Sequence, residues 1–70
     1  MNILEVTFFG NKYIVETDST PNQYACNLLR SQKLNLKRTR KFENSTLHVR
    51  ECVKYKGKRK PVIGSEAIYT

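Results

Sequence analysis

Twelve of the thirteen Lys and Arg residues lie after position 29, concentrated in Lys37-Arg38-Thr39-Arg40-Lys41 and Lys54-Tyr55-Lys56-Gly57-Lys58-Arg59-Lys60. Cationic side chains at this density bind phosphate, and each contact releases condensed counterions, which gives affinity without sequence reading. Residues 1–29 hold one basic and three acidic residues and residues 30–70 hold twelve and three, so the halves stand at −2 and +9 and sum to +7. Tyr55 and Tyr69 add faces on which single-stranded bases could stack, although the apolar parity of Tyr55 also fits core packing.

Other chemistries lack material. His48 is the only histidine, and Cys52 follows four residues later, about 13 Å away on a strand at 3.3 Å per residue, too far to share one zinc. A site closed by Cys26 still lacks ligands. No Gly-rich phosphate loop, carboxylate pair or Ser-His-Asp set assembles from one His and six scattered acids. The expectation is a protein with no catalytic residue, metal or cofactor. A 70-residue chain buries only about 60% of the surface its unfolded form exposes, too little for both a core and an enclosed substrate cavity.

A composition of 39% hydrophobic and 27% charged residues argues against simple disorder and against a membrane span. Met1 to Phe9 has neither the basic region nor the apolar stretch of a signal peptide, and no window approaches the roughly 20 apolar residues that cross a bilayer. Cys26 and Cys52 then read as reduced thiols of a cytoplasmic protein.

The elements that must position the basic residues follow from pattern. Ile3 to Phe9 and Tyr13 to Thr17 are rich in β-formers and flank Gly10-Asn11, which suits a two-residue hairpin turn of type II′ or I′. Thr20-Pro21-Asn22-Gln23 is a capping box with Pro at the first helical position, so a helix starts at Pro21. Tyr24, Ala25, Leu28 and Leu29 form its apolar stripe. From about Gln32 the period becomes two: Leu34, Leu36 and Phe42 share one parity and Asn35, Lys37, Thr39 and Lys41 the other, which predicts a third strand. Glu43-Asn44-Ser45-Thr46 has turn chemistry, and Leu47, Val49, Val53 and Tyr55 continue as a fourth strand. A four-residue loop sets Phe42 opposite Leu47, Arg38 opposite Glu51, Leu36 opposite Val53 and Leu34 opposite Tyr55, preserving both apolar and opposite-charge pairs.

This reading gives a single small α+β domain, ββαββ, with one helix on a sheet of two hairpins: residues 1–55 are compact, and residues 56–70 form a basic loop followed by a short strand or a flexible tail. The expected core is Ile3, Val6, Phe8, Tyr13, Val15, Tyr24, Leu28, Leu29, Leu34, Leu36, Leu47, Val49 and Val53. Lys37 and Lys41 then share a face with His48, Arg50 and Lys54, a positive strip on the second hairpin. Arg38 and Arg40 carry the parity of the helix-covered face, so the hairpin must run past the helix to wet them. A projecting two-stranded basic ribbon is one shape that fits the major groove of DNA.

Along residues 8 to 60, the succession of Tyr13-Ile14-Val15, a helix with Asn27-Leu28-Leu29, Leu34-Asn35-Leu36 and a basic hairpin resembles the N-terminal segment of YqfD-type stage IV sporulation proteins. The membrane-spanning region that follows in such proteins is missing here, and no functional residue is carried over. A ββαβ order also occurs in very small phage proteins that bind host enzymes, so topology alone does not choose a function. The residues themselves point to non-catalytic binding of DNA or RNA, with Lys37, Arg38, Arg40, Lys41, Arg50, Lys54, Lys56, Lys58, Arg59 and Lys60 on phosphate. The alternative is a small regulator or inhibitor that docks its basic surface on an acidic protein.

Overall fold

In the computed structural model, which describes residues 1–70, Asn2–Phe8 (β1) and Asn11–Thr17 (β2) form the expected first hairpin. It closes one residue earlier than Gly10-Asn11, with turn residues Phe9 and Gly10 at φ 49° and 80°. Positive φ at both central positions defines type I′, whose twist matches that of the paired strands, and glycine at the second position adopts it without Cβ strain. The resulting register sets Leu4 opposite Val15 and Val6 opposite Tyr13. Leu4, on the same face as Val6 and Phe8, is fully buried, and Ile3, on the other face, is only partly so.

The helix α1 runs Pro21–Ser31. Thr20 Oγ1 accepts the Gln23 N–H at 3.2 Å and Gln23 Oε1 accepts the Thr20 N–H at 3.1 Å, so two amides without helical partners are satisfied. Ala25 and Leu29 are buried and Tyr24 and Leu28 flank them, as the stripe requires.

Beyond α1 the expected second hairpin does not form. Only Arg38–Thr39 (β3) is a strand, and it pairs with Tyr69 and Ile68. Leu47–Tyr55 (β4) pairs on one edge with β1 and on the other with Lys58–Tyr69 (β5), in a five-stranded antiparallel sheet of order β2-β1-β4-β5-β3. The expected ββαββ order is thereby corrected to ββαβββ within the same α+β class. Residues 56–70, read as a loop and a short strand or tail, are a turn and a 12-residue strand. None of the four expected cross-strand pairs exists: Leu47 lies between Phe8 and Tyr69, Glu51 beside Leu4, Val53 beside Lys60 and Tyr55 beside Lys58.

The period-two signal over Leu34–Leu36 has a different cause. This extended segment lays both leucines against the core without pairing in the sheet, and alternation reports which side chains are buried, not which strand is adjacent. The core comprises Leu4, Val6, Ala25, Leu29, Leu47, Val49 and Ala67, with Phe8, Val15, Tyr24, Leu28, Leu34, Leu36 and Tyr69 packed around it. Of the expected core, Val53 is 48% exposed and Tyr13 38%.

Replacing the fully buried Leu4 by Ala should cost about 2–5 kcal/mol in urea unfolding, whereas Val53→Ala should stay within about 0.5 kcal/mol. A second expectation concerns pH. Partial burial, with the Tyr24 hydroxyl beside it, pushes the Tyr13 phenol from 10.0 up to about 12. The folded chain therefore holds this proton more tightly than the unfolded one, and the associated stability is complete below pH 10 and is lost as pH rises through about 12. Unfolding midpoints measured across this range should fall for the wild type and fall less for Tyr13→Phe.

Candidate nucleic-acid interface

The β4–β5 hairpin extends beyond the rest of the sheet. β1 accompanies β4 only as far as Cys52, and β3 touches β5 only at Ile68 and Tyr69, so Val53–Tyr55 and Lys58–Lys60 form a ribbon with both edges free. Its turn, Lys56-Gly57 with φ of 50° and 77°, is again type I′. Between Cys52 and Pro61 the sequence has five basic residues and no acidic one. Lys54, Lys56, Lys58, Arg59 and Lys60 are all exposed, and none forms an ion pair.

Paired strands put opposing residues on one face. Lys54 and Arg59 are partners on one side of the ribbon; Val53 with Lys60 and Tyr55 with Lys58 occupy the other. The ribbon is therefore basic on both faces. The Tyr55 ring is half exposed, with Lys60 Nζ 4.6 Å and Lys56 Nζ 5.5 Å from its centroid. It stands away from Leu34 and the core, contrary to its apolar parity.

The base of the ribbon is a wide irregularity. Arg50 pairs with Glu66 and Cys52 with Pro61, so Glu51 alone opposes Val62, Ile63, Gly64 and Ser65. A bulge of this kind bends and twists a strand pair. Here it carries Ile63 out to full exposure.

The remaining expected site residues separate into three groups. Lys37, Arg40 and Lys41 are exposed, with Lys37 joined to Thr70 by backbone hydrogen bonds of 3.0 and 2.9 Å. They flank the far end of β5, so the two basic runs are not side by side as the sequence reading had them. From Leu47, beside Tyr69, to Val53 is six residues of β4, about 20 Å. Arg38 is used internally: its guanidinium donates to Asn22 Oδ1 at 2.6 Å and the Glu66 carbonyl at 3.1 Å and lies 5.5 Å over Tyr69. Its expected partner Glu51 is not involved.

Arg50 is likewise occupied, with Nε 2.9 Å and Nη2 2.7 Å from Glu5 Oε1. Lys12 Nζ approaches the same oxygen at 3.3 Å, and His48 Nε2 lies 2.9 Å from Glu66 Oε2. The strip expected to join His48, Arg50 and Lys54 is thus interrupted by carboxylates. Together with Phe42, which stacks on His48 at 5.9 Å, these groups line a shallow, charge-compensated depression on the face opposite α1.

No three His, Cys, Asp or Glu side chains lie close enough to hold a metal ion, and no helix is long and apolar enough to cross a membrane. The sequence alone could have found the ribbon, because Lys56-Gly57 carries the same X-Gly turn signal as Phe9-Gly10. The chain matches no protein-family model, no curated protein and no solved structure.

Arg38 and Arg40 are two residues apart and differ in employment, which stability measurements should separate. Arg38→Ala removes hydrogen bonds to Asn22 and Glu66 and should cost about 1–2 kcal/mol, a fall of roughly 4–16 °C in Tm for a chain of this size. Arg40→Ala should leave Tm nearly unchanged.

Proposed function

We propose that this protein is a non-catalytic nucleic-acid-binding module whose β4–β5 ribbon contacts phosphate. The supporting observation is the cluster Lys54, Lys56, Lys58, Arg59 and Lys60 on a projecting two-stranded hairpin with no internal ion pair. Cations already facing carboxylates give up those partners to meet a phosphate; these five do not. Lys37, Arg40 and Lys41 supply a second contact zone, while Arg38 and Arg50 act within the fold. Duplex DNA is the favoured ligand, because a two-stranded ribbon enters a major groove about 12 Å wide, whereas the deep, narrow major groove of A-form RNA does not admit it. The cytoplasm suits the free thiols Cys26 and Cys52.

One observation favours a second reading. Val53, Tyr55 and the fully exposed Ile63 put apolar surface on the ribbon and its base, and such anchors amid positive charge suit an acidic protein partner.

Fluorescence anisotropy with labelled duplex DNA, single-stranded DNA and duplex RNA across a salt series distinguishes the two. Full ribbon engagement should give a log–log salt slope near −4.5, at about −0.9 for each of five phosphate contacts. Changing Lys54, Lys58, Arg59 and Lys60 together to Ala should flatten the slope by about 3 to 4 and weaken binding at least tenfold, while Lys37→Ala/Lys41→Ala should have the smaller effect. No binding by the wild type, or equal binding by the ribbon variant, would refute the nucleic-acid reading and favour the acidic partner.

A further inference from the structure

The two edges of this sheet are treated differently by the sequence. Along β5 the outer edge is obstructed by Pro61, the Val62–Ser65 irregularity, flanking lysines and the two-residue β3, all devices that prevent strand addition. The opposite edge, β2, has no proline, no irregularity and no covering strand, and its Lys12 is balanced by Glu16. It is seven residues long, regularly paired with β1 throughout, and free of Pro and Gly.

We propose that β2 pairs with β2 of a second copy of this chain, antiparallel about Ile14, to make a two-fold dimer with a continuous ten-stranded sheet (two sheets of five). Three independent features of the edge agree on that register.

The first is hydrogen bonding. Phe8 and Asn11 flank a two-residue turn, and such a pair exchanges both of its hydrogen bonds. By alternation Asn11, Tyr13, Val15 and Thr17 point their amides and carbonyls to β1, and Lys12, Ile14 and Glu16 point theirs outward. Pairing centred on Ile14 sets Ile14 against Ile14 and Lys12 against Glu16, so each outward group meets another.

The second is charge. In this register Lys12 of each copy faces Glu16 of the other; Glu16 is exposed with no ion-pair partner in its own chain, and Lys12 has there only Glu5 Oε1 at 3.3 Å, an oxygen that Arg50 holds more closely at 2.7 Å. Moving the centre by one residue either way, while keeping the outward groups paired, puts Ile14 opposite Lys12 or Glu16 and removes the match. The third is apolar surface. Ile14 and Tyr13 are each 38% exposed; the dyad brings the two Ile14 side chains together on one face and sets Tyr13 beside Val15 on the other. The helix packs chiefly over β4 and β5; on its face of the sheet Tyr24 reaches Tyr13.

Sedimentation equilibrium over a range of concentrations tests the proposal. The 8.2 kDa chain should associate reversibly to a dimer. Glu16→Lys touches no contact within the fold, yet it places two Lys–Lys pairs at the dyad and should raise the dimer Kd by about tenfold or more. Adding Lys12→Glu to it restores opposite charges and should restore the dimer, with circular dichroism checking that each variant is folded. Amide exchange by NMR reads the register independently: Lys12, Ile14 and Glu16 amides should become protected with rising concentration, while Tyr13 and Val15 are protected throughout. A wild type monomeric into the millimolar range, or a dimer in which the amides of Lys12, Ile14 and Glu16 exchange freely, would overturn the proposal.

Discussion

A β-strand has two edges, and the pairing of β5 along the outer edge of β4 determines most of what is distinctive here. β1 takes the other edge, so the segment after α1 has no strand left to join except β5, and only at its end. Arg38 is consequently held against Tyr69 and Asn22, far from the Glu51 that a β3–β4 hairpin would have given it. The same pairing is longer than the sheet around it, which is why the strands continue as a free ribbon past Cys52.

Two of the six carboxylates then divide the charge of the molecule. Glu5 gathers Arg50 and Lys12, and Glu66 takes His48, so the face opposite the helix is internally compensated despite its basic residues. Surface pairs of this kind contribute little to stability; their consequence is to remove those cations from competition for an external phosphate. The ribbon contains no acid and keeps its whole charge available. A type I′ turn fixes the geometry of that charge, so in the proposed contact with phosphate no flexible arm has to be ordered first, the entropy cost of ordering being met during folding.

Much of the N-terminal half was legible in the sequence because its signals are local. The Thr20/Gln23 capping box, Pro21 and the Tyr24-Ala25-Leu28-Leu29 stripe fix the helix within one element. The first hairpin is legible to one residue, and Leu4 belongs to the core in place of Ile3 because it shares the face of Val6 and Phe8 while Ile3 alternates to the other. The C-terminal half depends on a choice of partner strand, to which the Lys56-Gly57 turn is the one local pointer. Leu34 and Leu36 alternate because both pack partly buried against the core, an alternation indistinguishable in sequence from that of a paired strand. Lys58 to Pro61 lack the apolar character of a strand because nothing covers them, so their sequence suggests a loop. The ribbon's composition was legible; its neighbours were not. Ala67 and Ile68 read as a possible short edge strand but not as core, and both are buried because β5 runs between β4 and β3.

The pairing of β4 with β5 beyond Cys52 is the point on which both the fold and the site turn, and NMR reads it directly. Lys54 and Arg59 are the non-hydrogen-bonded pair of the ribbon, where backbones approach to about 4.5 Å between Cα atoms. A strong Hα–Hα NOE between these two residues is expected, together with strand-like shifts from Val53 to Lys60. Random-coil shifts across residues 54–60, or instead an NOE network joining residues 36–38 to residues 51–53, would contradict the pairing and with it the preorganised basic ribbon.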